Sequence, residues 1–175
     1  MEEQRSYENF PLHIALLSTI VTISIYALGA FILAGFGFLF AVLYLLYCLW
    51  VELRILRLSC VNCYYYGKVC GLGKGTLCAL LFKQGEPQRF AETEISPAQL
   101  IPDFMVVIIP LIGGIILLII RDFAWLLVAM LAILVILFFG GTAVIRGSFA
   151  CKYCKQREIG CSAEQLFSKE KMREK

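Results

Sequence analysis

The chain has 175 residues, 60% of them hydrophobic, and a mean hydropathy of +0.80. Ordinary soluble domains are roughly 45–50% apolar, so this composition excludes a water-soluble enzyme or binding module. The net charge of +3 is small and gives no reason to expect a nucleic-acid partner. We expect the lipid bilayer to be the main partner of the chain.

Four apolar segments are long enough to cross a bilayer, which takes about 20 residues of helix. Residues 10–51 contain no Asp, Glu, Lys or Arg, and they predict two spans joined by a tight turn. Residues 104–120 and 123–145 are also free of these charges, and they predict one span each, the third beginning near Leu100. Because residues 1–10 are acidic and the apolar run after them is long, the start does not match a cleaved signal peptide. We predict a short N-terminal tail there.

The basic residues lie almost entirely on one side of this predicted membrane. With four spans, the N-terminus, residues 52–99 and residues 146–175 share one side, and only Arg121 of the 16 Lys and Arg residues lies on the other. Because basic loops stay in the cytoplasm, the sequence predicts a multi-pass protein of the cell (inner or cytoplasmic) membrane with both termini cytoplasmic. A reducing compartment favours metal-binding or redox-active cysteines over disulfides.

One cysteine spacing, C-x2-C-x6-C, occurs twice, each time just after an apolar segment. The two copies are Cys60, Cys63 and Cys70, and Cys151, Cys154 and Cys161. A C-x2-C turn directs two sulfurs towards one point, as tetrahedral metal sites require. These six cysteines are therefore the predicted metal ligands. The spacing allows three arrangements: one site made of the two C-x2-C pairs, two zinc ions sharing bridging thiolates, or a separate site in each half.

Each copy of the spacing resembles one half of the fungal binuclear zinc-cluster domains, which contain C-x2-C-x6-C twice. The resemblance covers only 11 residues in each half, and two membrane spans separate the halves here. It therefore implies ligand geometry and one or two zinc ions, and it does not imply DNA binding. Zinc is the preferred cofactor because its structural sites favour all-cysteine tetrahedra. An iron–sulfur cluster is the alternative, although its usual cysteine spacings differ, and thiols without a stable metal are the third possibility.

The two cysteine copies belong to a longer duplication. They are offset by 91 residues, and Pro11 then aligns with Pro102, so the proline-to-cysteine spacing is 49 residues in both halves. We predict an all-α fold of two parallel repeats, residues 11–70 and 100–161. Each repeat is a helical hairpin followed by a cysteine segment, and the axis that relates them runs along the membrane normal.

The turn of the first hairpin has two candidate positions. Alignment with Arg121-Asp122, the polar break of the second hairpin, places it at Ala30-Phe31 and gives spans of about 11–29 and 32–52. Gly35-Phe36-Gly37 is the alternative, and its residues are more typical of turns.

The loop between the repeats, residues 71–99, begins with a glycine-rich segment. Gly71, Gly73, Lys74 and Gly75 are candidates for binding an anion or a lipid headgroup through backbone N–H groups. A plain turn is favoured, because no Ser or Thr directly follows the lysine as a phosphate-binding loop requires. The apolar stretch after it is too short to cross the membrane, and it is predicted to lie in the membrane interface or to cover the metal site.

Two further segments flank or follow the cysteines. Tyr64, Tyr65 and Tyr66 are expected to form a membrane-interface belt, with a wall over the metal as the alternative. Residues 162–175 are predicted to form a charged helix that begins with an S-x-x-Q capping box and frays towards its end.

No catalytic set is recognisable in the sequence. His13 is the only histidine, and the spans lack the mid-depth ionisable groups typical of ion-coupled transporters. Cys48 is an intramembrane thiol that is expected to pack as a small apolar residue. We expect a non-enzymatic scaffold or docking subunit that associates with other membrane subunits and has no identifiable small-molecule substrate. The alternatives are an iron–sulfur electron-transfer subunit of a membrane redox complex, and a soft-metal transporter or sensor in which Cys48 relays the metal.

Overall fold

The computed structural model of the chain describes residues 6–86, 90, 97–120 and 125–161. Within these residues, four helices are long and apolar enough to cross a membrane, which confirms the predicted helical architecture with four spans. The helices in chain order are α1 (Leu12–Ala34), α2 (Phe38–Leu58), the short α3 (Gly75–Leu81), α4 (Pro97–Ile120) and α5 (Trp125–Val135). The predicted break at Arg121-Asp122, the predicted charged helix 162–175 and residues 1–5 of the N-terminal tail lie outside the described residues.

The fourth span continues beyond α5 in an irregular helix that ends at Tyr153. Two π-helical segments, Ile136–Gly141 and Ile145–Ala150, flank a single α-helical turn. A π turn bonds residue i to residue i+5, so it holds more residues than an α turn. The span therefore accommodates more residues before its cysteine segment than α2 does.

The turn of the first hairpin lies at residues 35–37, and the prediction of a turn at Ala30-Phe31 is wrong. Both of those residues lie inside α1. Gly37 has a φ of 138°, a conformation that residues with a side chain rarely adopt. The amide of Gly35 donates to the carbonyl of Ile32 at 3.1 Å and closes the helix end. The local requirement for glycine therefore places the turn, and α2 extends to Leu58, just before the first cysteine segment.

The boundaries of the helices in the two halves do not follow one offset. The first helices of the halves, α1 and α4, begin 85 residues apart, and α2 and α5 begin 87 residues apart. The first cysteines of the two segments are 91 residues apart. A gap-free alignment at 91 residues therefore matches the cysteines without matching the helix boundaries.

Two helices, α1 and α4, each contact the other three spans, and α1 has the most extensive contacts. Apolar side chains of all four spans meet in one buried cluster: Ile25, Ile32, Leu33, Tyr44, Cys48, Val51, Val106, Val107, Leu117, Leu131 and Leu134. Many large apolar side chains point outward instead, among them Phe31, Leu39 and Ile119. A water-soluble monomer rarely exposes so extensive an apolar surface, whereas acyl chains cover such a surface in a bilayer. The fold is that of a multi-pass membrane protein.

A tyrosine of α2 joins that helix to α4 at a proline. Pro110 has no N–H group, so the carbonyl of Val106, four residues earlier, loses its helical partner. The hydroxyl of Tyr44 donates a hydrogen bond to that carbonyl at 2.8 Å. The tyrosine ring lies beside Gly29, where an added Cβ would lie 2.7 Å from the ring atom Cζ. Because the membrane interior offers no water to satisfy a carbonyl, Gly29, Tyr44 and Pro110 form one structural unit.

Candidate functional site

Both cysteine segments lie at the same end of the bundle, where α1 begins. The residues before α1 connect them. The amide of Tyr7 donates to the carbonyl of Tyr153 at 3.0 Å, and the amide of Phe10 donates to the carbonyl of Val69 at 2.9 Å. We call this end, with residues 60–70 and 151–161, the cysteine end.

The two cysteine segments are also in direct contact. The amide of Tyr64 donates to Oε1 of Gln156 at 2.7 Å, and the amide of Lys155 donates to the hydroxyl of Tyr65 at 2.9 Å. That hydroxyl donates in turn to the carbonyl of Tyr7 at 2.5 Å. Tyr65 and Gln156 are only 1% and 2% exposed. The segments are therefore joined by hydrogen bonds to two buried side chains, and such bonds cost more to break than exposed ones.

Aromatic rings surround this junction. The ring of Phe10 lies 5.5 Å from that of Tyr7 and 5.3 Å from that of Tyr65, and the rings of Tyr7 and Tyr153 are 5.2 Å apart. Pairs at such distances attract each other beyond their burial. Tyr65 is thus buried in the protein, and the predicted interface belt is wrong for this residue.

The thiol-bearing residues Cys63, Cys70 and Cys154 pack against this aromatic cluster. They come from both cysteine segments, so the cluster lies between the two. The junction combines an apolar wall with cysteines from each half of the chain.

The two C-x2-C turns have the same backbone conformation. Each begins with a 3-10 turn, at Cys60–Asn62 and at Cys151–Tyr153. In each, the amide of the second cysteine, Cys63 or Cys154, donates to the carbonyl of the first at 3.3 Å. The shared spacing therefore corresponds to a shared local structure.

In each turn, a backbone N–H group two residues later acts to lower the pKa of the second thiol: that of Tyr65 for Cys63, and that of Gln156 for Cys154. Hydrogen bonding of this kind favours the thiolate over the thiol, and metal-binding side chains generally have outer partners of this kind. The two turns therefore carry part of the environment that a thiolate ligand needs.

Burial acts in the opposite direction on the same thiols. It raises the pKa of Cys63 to about 11 and that of Cys154 to about 12, and neighbouring thiols add to both shifts. Cys161 contributes to both pKa values, and Cys63 contributes to that of Cys154. Thiols of the two segments are therefore close enough to affect each other, and burial favours their protonated form.

The thiols are near one another without forming a coordination sphere. Across residues 6–86, 90, 97–120 and 125–161, which include all six predicted ligands, no three or more His, Cys, Asp or Glu side chains are placed to hold a metal ion. None of the eight cysteines, all within that part of the chain, forms a disulfide. The cysteine end therefore gathers the predicted ligands but does not present a ready metal site.

Cys78 is a further thiol of the cysteine end, and it belongs to the apolar stretch that is predicted to lie in the membrane interface or to cover the metal site. Its side chain is fully buried, and Sγ lies 3.6 Å from the carbonyl oxygen of Leu56, to which it donates. That carbonyl is four residues before Cys60. The glycine-rich loop reverses the chain and brings α3 back against the end of α2. The sequence gives only a weak indication that Cys78 lies near Cys60, because their proximity depends on the path of the whole loop between them.

Cys48 lies elsewhere, in the buried core of the bundle, where only 2% of it is exposed. Twelve residues of helix and turn separate it from Cys60, which is about 18 Å at 1.5 Å per residue. Its surroundings are the apolar side chains expected around a packed small residue, such as Val51 and Val106.

The glycine-rich loop packs against the helices. Lys74 forms an ion pair with Glu52 of α2, with 2.6 Å between Nζ and Oε2. The hydroxyl of Tyr26 donates to Oε1 of the same carboxylate at 2.6 Å. Gly73 lies against α1, where an added Cβ would be 3.2 Å from the carbonyl oxygen of Ala15.

The other glycines of this loop are buried. Gly75 lies under the carbonyl groups of Tyr65 and Lys68, and Gly71 lies against Ala150. These contacts are those of a packed turn, in which the charge of the lysine is already matched by a carboxylate.

In comparisons with known proteins, no family model, no curated protein and no solved structure matches this chain. Its function is therefore argued from its own residues.

Proposed function

We propose that the chain is a non-enzymatic membrane scaffold whose cysteine end forms a docking platform for other membrane subunits. The observation that carries this proposal is the buried junction between the two cysteine segments, made by Tyr64, Tyr65, Lys155 and Gln156. The junction ties the end of the second span to the end of the fourth. It thereby fixes two chain segments that are too short to bury a core of their own.

Zinc is the proposed cofactor of this platform, as one or two ions. The proposed ligands are the thiolates of Cys60, Cys63, Cys151 and Cys154, with Cys70 and Cys161 as further ligands. Two observations support this assignment: the similar conformation of the two C-x2-C turns, and the backbone N–H groups that act to lower the pKa of the second thiol in each turn.

The described residues hold no ready coordination sphere, so we propose that metal binding is coupled to a rearrangement of the two cysteine segments. The segments adjust when the metal enters, and the binding free energy contributes to the stability of the folded state. The bound metal would supply a cross-link between the two halves of the chain.

Two further parts of the proposal concern topology. We place the cysteine end in the cytoplasm, because all Lys and Arg residues except Arg121 belong to the predicted segments on that side. We also propose that the hairpins are parallel repeats. The shared turn conformation supports a duplication, and the unequal offsets of the helix boundaries require insertions within it.

Elemental analysis of the protein purified without chelators tests the metal assignment. We expect one or two zinc atoms per chain, lost together in Cys60→Ser and in Cys151→Ser if the segments share a site. Cys48→Ser is the matched control, because this buried thiol lies outside the proposed ligand set. Iron with visible absorbance would contradict zinc and support the electron-transfer alternative, and half of the metal retained in each variant would contradict a shared site.

Co-purification of other subunits from the native membrane tests the scaffold role separately. Subunits that purify with the wild type and with Cys48→Ser should be lost from Cys151→Ser. Unchanged association after loss of the metal would show that docking does not depend on the cysteine end.

A further inference from the structure

The short helix α3 carries no charged side chain although it lies between two spans, in a loop, and Thr76 is its one polar side chain. One side faces the protein, with Gly75 and Cys78 buried. The opposite side carries Leu77, Leu80 and Leu81, which are 47%, 83% and 53% exposed. The apolar face of a helix normally packs against protein or lipid, so the leucine side requires a cover.

The depth of α3 in the bundle identifies that cover. Cys78 contacts the carbonyl of Leu56, which fixes the height of α3 along α2. From the turn at Gly37 to Leu56 the helix rises about 28 Å at 1.5 Å per residue. The hydrocarbon core of a bilayer is about 30 Å thick. With the turn at one surface of the membrane, α3 lies at the hydrocarbon boundary of the opposite leaflet.

The surroundings of α3 are those of a membrane interface. Leu53 and Leu58 of α2 lie close to Leu56 in the chain and are also exposed, so α2 too presents apolar side chains at the depth of α3. Arg57 and Lys83 are exposed on either side of it in the chain. Basic side chains at this level are attracted to anionic headgroups.

We propose that α3 is an interfacial helix, inserted into the leaflet on the side of the cysteine end. Leu77, Leu80 and Leu81 contact acyl chains, while Cys78 and Gly75 hold the helix against α2 and the first cysteine segment. The occupant of the exposed face is lipid, and the membrane itself thereby forms one wall of the cysteine end. This proposal does not depend on the presence of a metal.

Tryptophan fluorescence tests the position of the leucine side. The chain has two tryptophans, so Leu80→Trp in a Trp50→Phe, Trp125→Phe background provides a single reporter. The full-length variant is placed in vesicles of phosphatidylcholine and phosphatidylglycerol, with and without bromine on the acyl chains. We expect blue-shifted emission, loss of emission in the brominated vesicles, and little quenching by iodide in the water.

Gln84→Trp in the same background is the matched control, because this exposed residue lies four positions further along the chain. Its emission should be quenched by iodide and not by brominated lipid. Iodide quenching of the Leu80→Trp variant at the level of this control would overturn the proposal. Protection from both quenchers would also overturn it, since a protein surface, such as a second copy of the chain, would then cover α3. If Leu80→Trp fails to fold, Leu77→Trp gives the same readout.

Discussion

Removal of one hydroxyl group, in Tyr44→Phe, tests how the bundle tolerates a proline in the middle of a span. The variant keeps the ring beside Gly29 and loses the donor to the carbonyl of Val106, which is 2.8 Å away. Tyr44 and Val106 are only 3% and 4% exposed, so water does not replace the lost bond.

The expected cost follows from two ranges. A buried polar group left without a partner costs about 1–3 kcal/mol, while measured side-chain hydrogen bonds in membrane proteins average about 0.6 kcal/mol and reach about 1.7 kcal/mol. We expect Tyr44→Phe to lower the free energy of unfolding by about 1–2 kcal/mol, near the upper end of the membrane range, because Pro110 leaves this carbonyl no helical partner. Unfolding by denaturing detergent in mixed micelles, followed by circular dichroism, measures the change.

Two controls separate this explanation from a general effect of losing a hydroxyl. Tyr47→Phe also removes a tyrosine bond to α4, at 2.9 Å from the carbonyl of Pro102, but helix geometry supplies that carbonyl with a second donor four residues later. Its effect should be smaller. Pro110→Ala adds a backbone N–H group at position 110 that can donate to the carbonyl of Val106. Tyr44→Phe should therefore lower the free energy of unfolding by less in that background. Equal costs with and without the proline, within about 0.5 kcal/mol, would refute the reasoning.

Three further predictions concern other contacts of the bundle. Gly29→Ala should destabilise the protein by about 1–3 kcal/mol, because the added methyl group overpacks against the ring of Tyr44. Gly147→Ala is the control and should change the melting temperature little, since an added Cβ there meets nothing within 4 Å. Equal shifts in melting temperature for the two variants would contradict this reasoning. Glu52→Gln should lower the free energy of local unfolding of the glycine-rich loop by about 1–3 kcal/mol, which is less than for a fully buried pair, because the side chains of Glu52 and Lys74 are each 20% exposed. Hydrogen exchange of the loop amides should become faster. Unchanged exchange would show that the ion pair does not stabilise the loop. Tyr65→Phe should lower the free energy of unfolding by about 1–2 kcal/mol, because it removes the hydrogen bonds that the buried hydroxyl makes with Tyr7 and Lys155. Amide hydrogen exchange should become faster in both cysteine segments. Faster exchange in only one of them would argue against a shared junction.

The spans were predictable because a bilayer imposes a simple rule on the sequence. Residues 10–51, 104–120 and 123–145 carry no formal charge, and a helix across hydrocarbon needs such a run. The sequence leaves two positions for the first turn, because the alignment between the halves favours Ala30-Phe31 while local chemistry favours Gly35-Phe36-Gly37. A glycine at φ 138° is a stronger constraint than similarity among apolar residues, which recur in any membrane helix.

The contents of the cysteine end were only partly predictable. Spacing indicates which cysteines share a turn, and the turns at Cys60–Asn62 and Cys151–Tyr153 are indeed alike. The spacing does not determine whether sulfurs from different segments converge, because that depends on side-chain rotamers and on the way Tyr65 and Gln156 fill the junction. The place of Cys78 depends on the path of the whole glycine-rich loop, and at the 91-residue offset its position corresponds to Lys169, so the repeat gives no sign of it.

The hydrogen bonds of Tyr7 have a consequence for the order of biosynthesis. This residue is made before any span, yet its amide binds the carbonyl of Tyr153 and its carbonyl accepts from Tyr65. The cysteine end therefore closes only after the last span has left the ribosome and entered the membrane. Until then Cys60, Cys63 and Cys70 lack their contacts with the second cysteine segment, and they are more accessible than in the completed fold. A bulky fusion placed directly before Tyr7 should delay this final step more than one placed at the opposite membrane surface.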